Sequence, residues 1–168
     1  MKITGFLALA ALALFPTAVA GQTGQTQTPS GEHSTAPERV EILSVLHRYY
    51  EDFSNLAWDE FANHFWEGAT ITTVWQAPGE EKTRVVVTAI PDFIRQAGDG
   101  PGSKSIFEET MGSAKVLVYQ NLAVVWAEYD AKFGEPGTVR EWSGIDAFTL
   151  MKHDGDWKIV SLAFAASQ

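Results

Sequence analysis

The 168-residue chain carries twelve basic and twenty-one acidic side chains, a formal charge of −9, and no cysteine. The missing cysteines rule out disulfides, thiolate metal sites and thiol nucleophiles. Lys and Arg are scattered singly along this acidic chain, without the basic stripe that nucleic-acid phosphates require. Six Trp, ten Phe and four Tyr supply the bulky apolar area from which a domain of roughly 150 residues builds its core.

Lys2, the apolar run Phe6 to Phe15, Pro16 and then Ala18-Val19-Ala20 read as an export signal cleaved after Ala20. The run falls short of the ~20 apolar residues needed to span a bilayer, and no later run is long enough. Residues 21–37 consist mainly of Gln, Thr, Ser and Gly, with Ala36 the one aliphatic side chain. Such a stretch buries too little surface to offset its ordering entropy, so it reads as a flexible tether. Residues 38–168 are expected to form one domain, periplasmic or secreted.

From Pro37 the pattern turns helical, with Val40, Leu43, Leu46, Tyr50 and Phe53 recurring at three- and four-residue steps as far as Asn55. A short helix carrying Trp58, Phe61, Ala62 and Phe65 stops at Glu67-Gly68. Ala69 to Gln76 and Arg84 to Val87 read as strands around Pro78-Gly79. Thr88 is placed to cap a third helix bearing Ile90, Phe93 and Ile94, which ends in the Gly98 to Gly102 loop. Four long strands follow: Ile106 to Tyr119, Leu122 to Phe133, Val139 to Lys152 and Trp157 to Ala165. Turn chemistry at Gln120-Asn121, Gly134 to Gly137 and Asp154-Gly155 joins them as an antiparallel meander. Helices first and a curved sheet afterwards give an α+β layer arrangement.

A four-residue Gly134 to Gly137 loop would set Phe133 opposite Thr138 and Asp146 opposite Val125. Alternation then places Val125, Ala127, Tyr129, Trp142, Gly144 and Phe148 on the face of Asp146. Small Ala127 and Gly144, facing each other, would leave a slot among the aromatic side chains. The opposite face would carry Trp126, Glu128, Ile145, Ala147, Leu162 and Phe164, too apolar for solvent, which predicts a homodimer through the outer sheet face.

The element order, ending in Asp154-Gly155-Asp156-Trp157-Lys158-Ile159-Val160, resembles the nuclear transport factor 2-like superfamily over about Val40 to Ala165. SnoaL-like proteins and ketosteroid isomerases belong to it. The resemblance implies a cone-shaped sheet curled around the first helix, with a pocket at its open end. Arg48-Tyr49 and Ile145-Asp146-Ala147-Phe148 look like the isomerase pair in which a phenol and a neutral acid stabilise an enolate. An ungapped count puts the isomerase's catalytic aspartate at Thr73, whose hydroxyl holds its proton too tightly to act as a base.

The expected ligand contacts are Tyr129, Trp142, Phe148, Thr73 and Trp75, with Asp146 and Tyr49 as hydrogen-bonding groups. Helical spacing turns Tyr50 inward while the resemblance turns Tyr49 towards the pocket, and a helix crossing a cone can bury both. His64 is the candidate replacement base. No histidine pair has a metal-ligand spacing, and no dinucleotide or phosphate-loop motif is present, so neither metal nor cofactor is expected. Two functions follow: an exported domain binding a small apolar or aromatic molecule without catalysis, or a SnoaL-like cofactor-independent isomerase, cyclase, dehydratase or hydrolase using Asp146 and Tyr49.

Overall fold

The computed structural model describes residues 35–76 and 79–167; the expected leader, and the tether up to residue 34, lie outside them. Thr35 opens the first helix, α1 (Ala36–Ser54). Its hydroxyl accepts the Glu38 N–H at 3.4 Å, and the Glu38 carboxylate accepts the Thr35 N–H at 3.3 Å. Reciprocal capping of this kind starts a helix without unsatisfied donors, and Pro37 sits in the first turn, where no N–H is needed. The helix therefore takes in Ala36 and Pro37, two residues read from sequence as tether.

α2 (Trp58–Asn63), β1 (Phe65–Trp75), β2 (Arg84–Ala89) and α3 (Ile90–Asp99) follow. Thr88 does not cap α3. It pairs with Ile71 inside β2, and Ala89 takes the cap position without a side-chain bond. The meander is β3 (Ile106–Tyr119), β4 (Leu122–Gly134), β5 (Arg140–His153) and β6 (Asp156–Ala166). Asp154 and Gly155 join β5 to β6 with φ of 52° and 93°, the left-handed pair that a two-residue hairpin turn demands. The sheet order is β2-β1-β6-β5-β4-β3, antiparallel except for the parallel pairing of β1 with β6.

α1 packs on β3 and β6 and buries Ile42, Val45, Leu46, Tyr49, Tyr50 and Phe53. Adjacent Tyr49 and Tyr50 are both within this set because the curved sheet meets the helix on two sides. Phe53 is the hub of an aromatic cluster, with ring centroids 4.8 Å from Phe107, 5.5 Å from Phe61 and 5.9 Å from Trp58. No helix among the described residues is long and apolar enough to cross a membrane.

The β4–β5 register departs from expectation by two residues. Residues 135–139 connect the two strands, and Phe133 pairs with Arg140 and Asp146 with Ala127. A hydrogen bond of 2.8 Å from the Thr138 N–H to the Glu135 carbonyl closes the turn inside this longer loop. A two-residue slip leaves every side chain on its face, but it changes partners. Tyr129, not Ala127, lies opposite Gly144, and its ring fills the gap expected there. Leu162 and Phe164 are a second correction: they pair with Phe148 and Asp146 and so belong to the inner face. The outer face keeps Val124, Trp126, Ile145 and Ala147, continued by Leu117 on β3 and by Val74, Val85 and Val87 at the far end.

A Cβ on Gly144 would lie 2.5 Å from the Tyr129 ring and 2.4 Å from the Ala165 carbonyl. Gly144→Ala is therefore expected to destabilise the fold by about 1–3 kcal/mol, read as a lower urea midpoint at unchanged slope.

Candidate functional site

The inner sheet face, α1 and α3 enclose a cavity of about 740 Å³, within the range that holds a small organic ligand. Its walls are aromatic and aliphatic: Phe53 from α1, Phe93 from α3, Phe107 from β3, Phe133 from β4, Trp142 from β5, and Leu162 and Phe164 from β6. Trp75, Arg84, Gln96 and Pro101 line it at exposed positions and form the rim. Arg84 lies over the Trp75 ring, 5.4 Å from its centroid, and is ion-paired with Glu80 at 3.3 Å.

Polar groups gather at the buried end. Alternation along β5 turns Gly144, Asp146 and Phe148 inward, which leaves Asp146 only 2% exposed. Tyr50 donates its hydroxyl to Asp146 Oδ2 at 2.5 Å. Burial pushes the Asp146 carboxyl up to about 7, against the opposing pull of the Tyr50 hydrogen bond. Glu109 of β3 lines the same cavity; burial first, and then the nearby Asp146 charge, hold its carboxyl well above the usual carboxylate range. The Ser54 hydroxyl at the end of α1 donates to the Glu109 carbonyl and accepts the Glu109 N–H, each at 2.9 Å. This clasp fixes the strand where Glu109 projects.

Two phenols complete the buried end. Burial raises Tyr49 well above its ordinary value, with Asp146, Glu109 and Tyr129 adding to the effect. Burial also moves Tyr129 up to about 12, against the pull of the Trp142 indole. Both tyrosines therefore stay protonated and able to donate. Two carboxyls in one low-dielectric space do not both ionise readily, so they titrate as a coupled pair.

The structure brings Asp146, Tyr49, Tyr129, Trp142, Thr73 and Trp75 to one cavity. Thr73 donates its hydroxyl to the Phe164 carbonyl at 3.0 Å, so it braces β1 against β6. Two expectations fail. Phe148 is fully buried beneath α1, packed edge-on against Tyr49 and Tyr50, and does not line the cavity. His64 is not at the rim: it ends α2, pairs with Asp52 at 2.6 Å and lines a separate groove with Arg48, Asp156 and Lys158. The phenol bonded to Asp146 is Tyr50, the residue that helical spacing turned inward. Sequence reasoning missed Glu109, although Phe107, Glu109 and Met111 alternate along β3 and place an acid in an apolar row. Among the described residues no group of three His, Asp or Glu side chains is set to hold a metal ion.

No family model and no curated protein matches the chain. Among solved structures it is similar to an NTF2-like protein of unknown function from Shewanella baltica OS155, at 19% identity and TM-score 0.58, covering 82% of this chain and 99% of that one. An NTF2-like protein with a cystatin-like fold from Novosphingobium aromaticivorans matches at 17% identity and TM-score 0.63, over 77% of this chain and 82% of its own. A second protein of that organism, provisionally named scytalone dehydratase, matches at 17% identity and TM-score 0.61, over 79% and 85%. The order of helices and strands, the cone around α1 and these neighbours agree: the chain has the nuclear transport factor 2-like fold.

Proposed function

We propose that this is an exported domain that takes a small, largely apolar molecule, of about one or two fused rings, into the cone. The observation that carries the reading is the make-up of the cavity: an aromatic and aliphatic lining with few polar groups, among which Asp146, Tyr49 and Tyr129 are buried and Glu109 is half-buried. An apolar pocket with a few convergent polar groups is the usual form of a ligand site. The ligand's ring body would lie against Trp142, Phe133 and Phe107, and its one polar group would meet the carboxyl end. Export rests on the leader-like residues up to Ala20, and detection of the mature chain beginning at Gly21 would establish it.

Glu109 favours a second reading, a SnoaL-like enzyme, because it supplies the ionisable carboxyl that the Thr73 position lacks. In that reading Glu109 or Asp146 moves a proton on a bound carbonyl compound while the other acid or Tyr49 donates to its oxygen. The wide outer face, where Trp126 is 58% exposed beside Val124 and Leu117, supports a homodimer in which two such faces cover each other.

2-Naphthylmethanol is expected to quench the tryptophan fluorescence saturably, and Trp142→Ala to weaken its binding by about tenfold, through loss of stacking area. Absence of saturable binding by this alcohol and by other ring compounds of its size would sink the ligand reading. For the enzyme, deuterium exchange at the α-carbon of 2-tetralone in heavy water should exceed the buffer rate and fall by ~100-fold or more in Glu109→Gln; exchange at the buffer rate leaves the domain a binder. In sedimentation, Trp126→Asp should convert a dimer to a monomer, and an unchanged dimer would remove this face from the interface.

A further inference from the structure

The two carboxyls at the buried end face no cation. Among the described residues that line the cavity, Arg84 is the one basic side chain, and it sits at the rim, held by Glu80 and Trp75. Every other group facing Asp146 is neutral or acidic. α1 presents Tyr49 and Tyr50, β3 presents Glu109 and β4 presents Tyr129. β1 and β6 contribute Thr73, Leu162 and Phe164, and α3 contributes Phe93, Gln96 and Ala97. The walls are rich in aromatic rings, whose faces carry the negative part of an aromatic quadrupole. Away from Arg84 at the rim, the described lining thus supplies no counter-charge to the two carboxyls.

Asp146 has one oxygen engaged by Tyr50 and the other free of side-chain partners among the described residues. Tyr49 is 2% exposed, lines the cavity and has no hydrogen-bonding partner for its hydroxyl among the described residues. The Glu109 carboxyl likewise has none, while Ser54 holds its backbone on both sides. These oxygens open on the cavity, where a polar group of a ligand can meet them. A hydroxyl or carbonyl on the ligand would satisfy one or two of them and leave the acids to remain neutral.

We propose that the ligand carries a protonated amine, bound between Asp146 and Glu109 with its ring body against the aromatic walls. This rests on the reading of the cavity as a ligand site and names its ligand class: a small aromatic or alicyclic ammonium compound. A –NH3+ group has three donors and no acceptor. It therefore matches a cavity whose unpartnered polar atoms, on Asp146, Glu109 and Tyr49, include two carboxyls and no cation beside them. The surrounding ring faces add cation–π attraction. Protonation couples to binding in a fixed direction. Burial raises both acids, Asp146 to about 7, and a bound cation favours their ionised forms. Binding then releases a proton below neutrality, and affinity rises as the pH rises through that range.

The test compares 2-naphthylmethylamine with its neutral isostere 2-naphthylmethanol on the folded mature protein, by titration calorimetry at pH about 5.5 and about 8. An alkylammonium, whose proton is held as lysine's is (~10.4), stays charged at both. The amine is expected to bind roughly tenfold or more tighter than the alcohol at the higher pH, and to lose at least about tenfold at the lower one. Its binding heat near pH 6 should differ between buffers of unlike ionisation enthalpy, reporting the released proton. Asp146→Asn and Glu109→Gln should each weaken the amine by about tenfold or more, with a cooperative thermal melt showing that each variant folds. An alcohol that binds as tightly as the amine, or an amine affinity indifferent to pH, overturns the proposal and leaves the ligand site standing. If neither compound binds, the site itself falls, and the proposal with it.

Discussion

One hydrogen bond, from the Tyr50 hydroxyl to Asp146 Oδ2 at 2.5 Å, joins the helix that fills the cone to the strand at its centre. A carboxyl that is 2% exposed is tolerable only with such a partner, since an unpartnered polar group in an apolar interior costs roughly 1–3 kcal/mol. The bond also sets the rotation of α1. With Tyr50 turned to β5, the next residue back, Tyr49, must turn to the cavity, and Phe53 one turn later becomes the hub of the aromatic cluster. Ser54 then reaches β3 and clasps the backbone of Glu109. The helix thus positions both acids, one through a phenol and the other through a serine.

The division of labour along the inner face follows from residue size. Ala127, opposite Asp146, leaves room for the carboxyl, and Gly144, opposite Tyr129, lets that ring lie flat on the sheet. Phe148 seals the narrow end beneath α1, while Phe133 and Trp142, with centroids 5.1 Å apart, line the wide one. A single row of inward positions on β5 therefore runs from cavity wall to acid to core within six residues. Neighbours of this fold carry no shared function in their names, as expected of an architecture whose chemistry resides in a few replaceable side chains.

Much of this was legible in the sequence because it rests on periodicity. The steps Leu46, Tyr50 and Phe53 gave the buried stripe of α1, and strict alternation on β4 and β5 gave the face that Asp146 shares with Tyr129 and Trp142. The Asp154-Gly155 turn chemistry set the final hairpin. What failed depended on distances that periodicity does not encode. Loop length between β4 and β5 shifted the pairing by two, an even number, so faces survived while partners did not. Leu162 and Phe164 were put outside because the alternation of β6 was never anchored to that of β5. A Thr149/Leu150 irregularity in that pairing shows why counting alone could not anchor it. Glu109 stands next to Glu108 on β3, and alternation without an anchored face does not tell which of the two acids turns inward. His64 looked well placed at a helix end, but the side on which that end emerges is a tertiary property.

The buried Asp146 carboxyl also contributes to stability with a pH dependence opposite to that of a paired surface carboxylate. Most proteins lose stability as the pH falls, because carboxylates that are paired in the native state must take up protons. Asp146 runs the other way: its ordinary value is 3.8 and its folded value is about 7, so between these limits the native chain holds a proton that the unfolded chain has released. Its contribution to folding is fully present below about pH 4 and fades as the pH climbs to 7, where the difference amounts to about 4 kcal/mol. Glu109, raised for the same reason, acts in the same direction. In both acids the same burial that shapes the cavity therefore favours folding more in mild acid than at neutral pH.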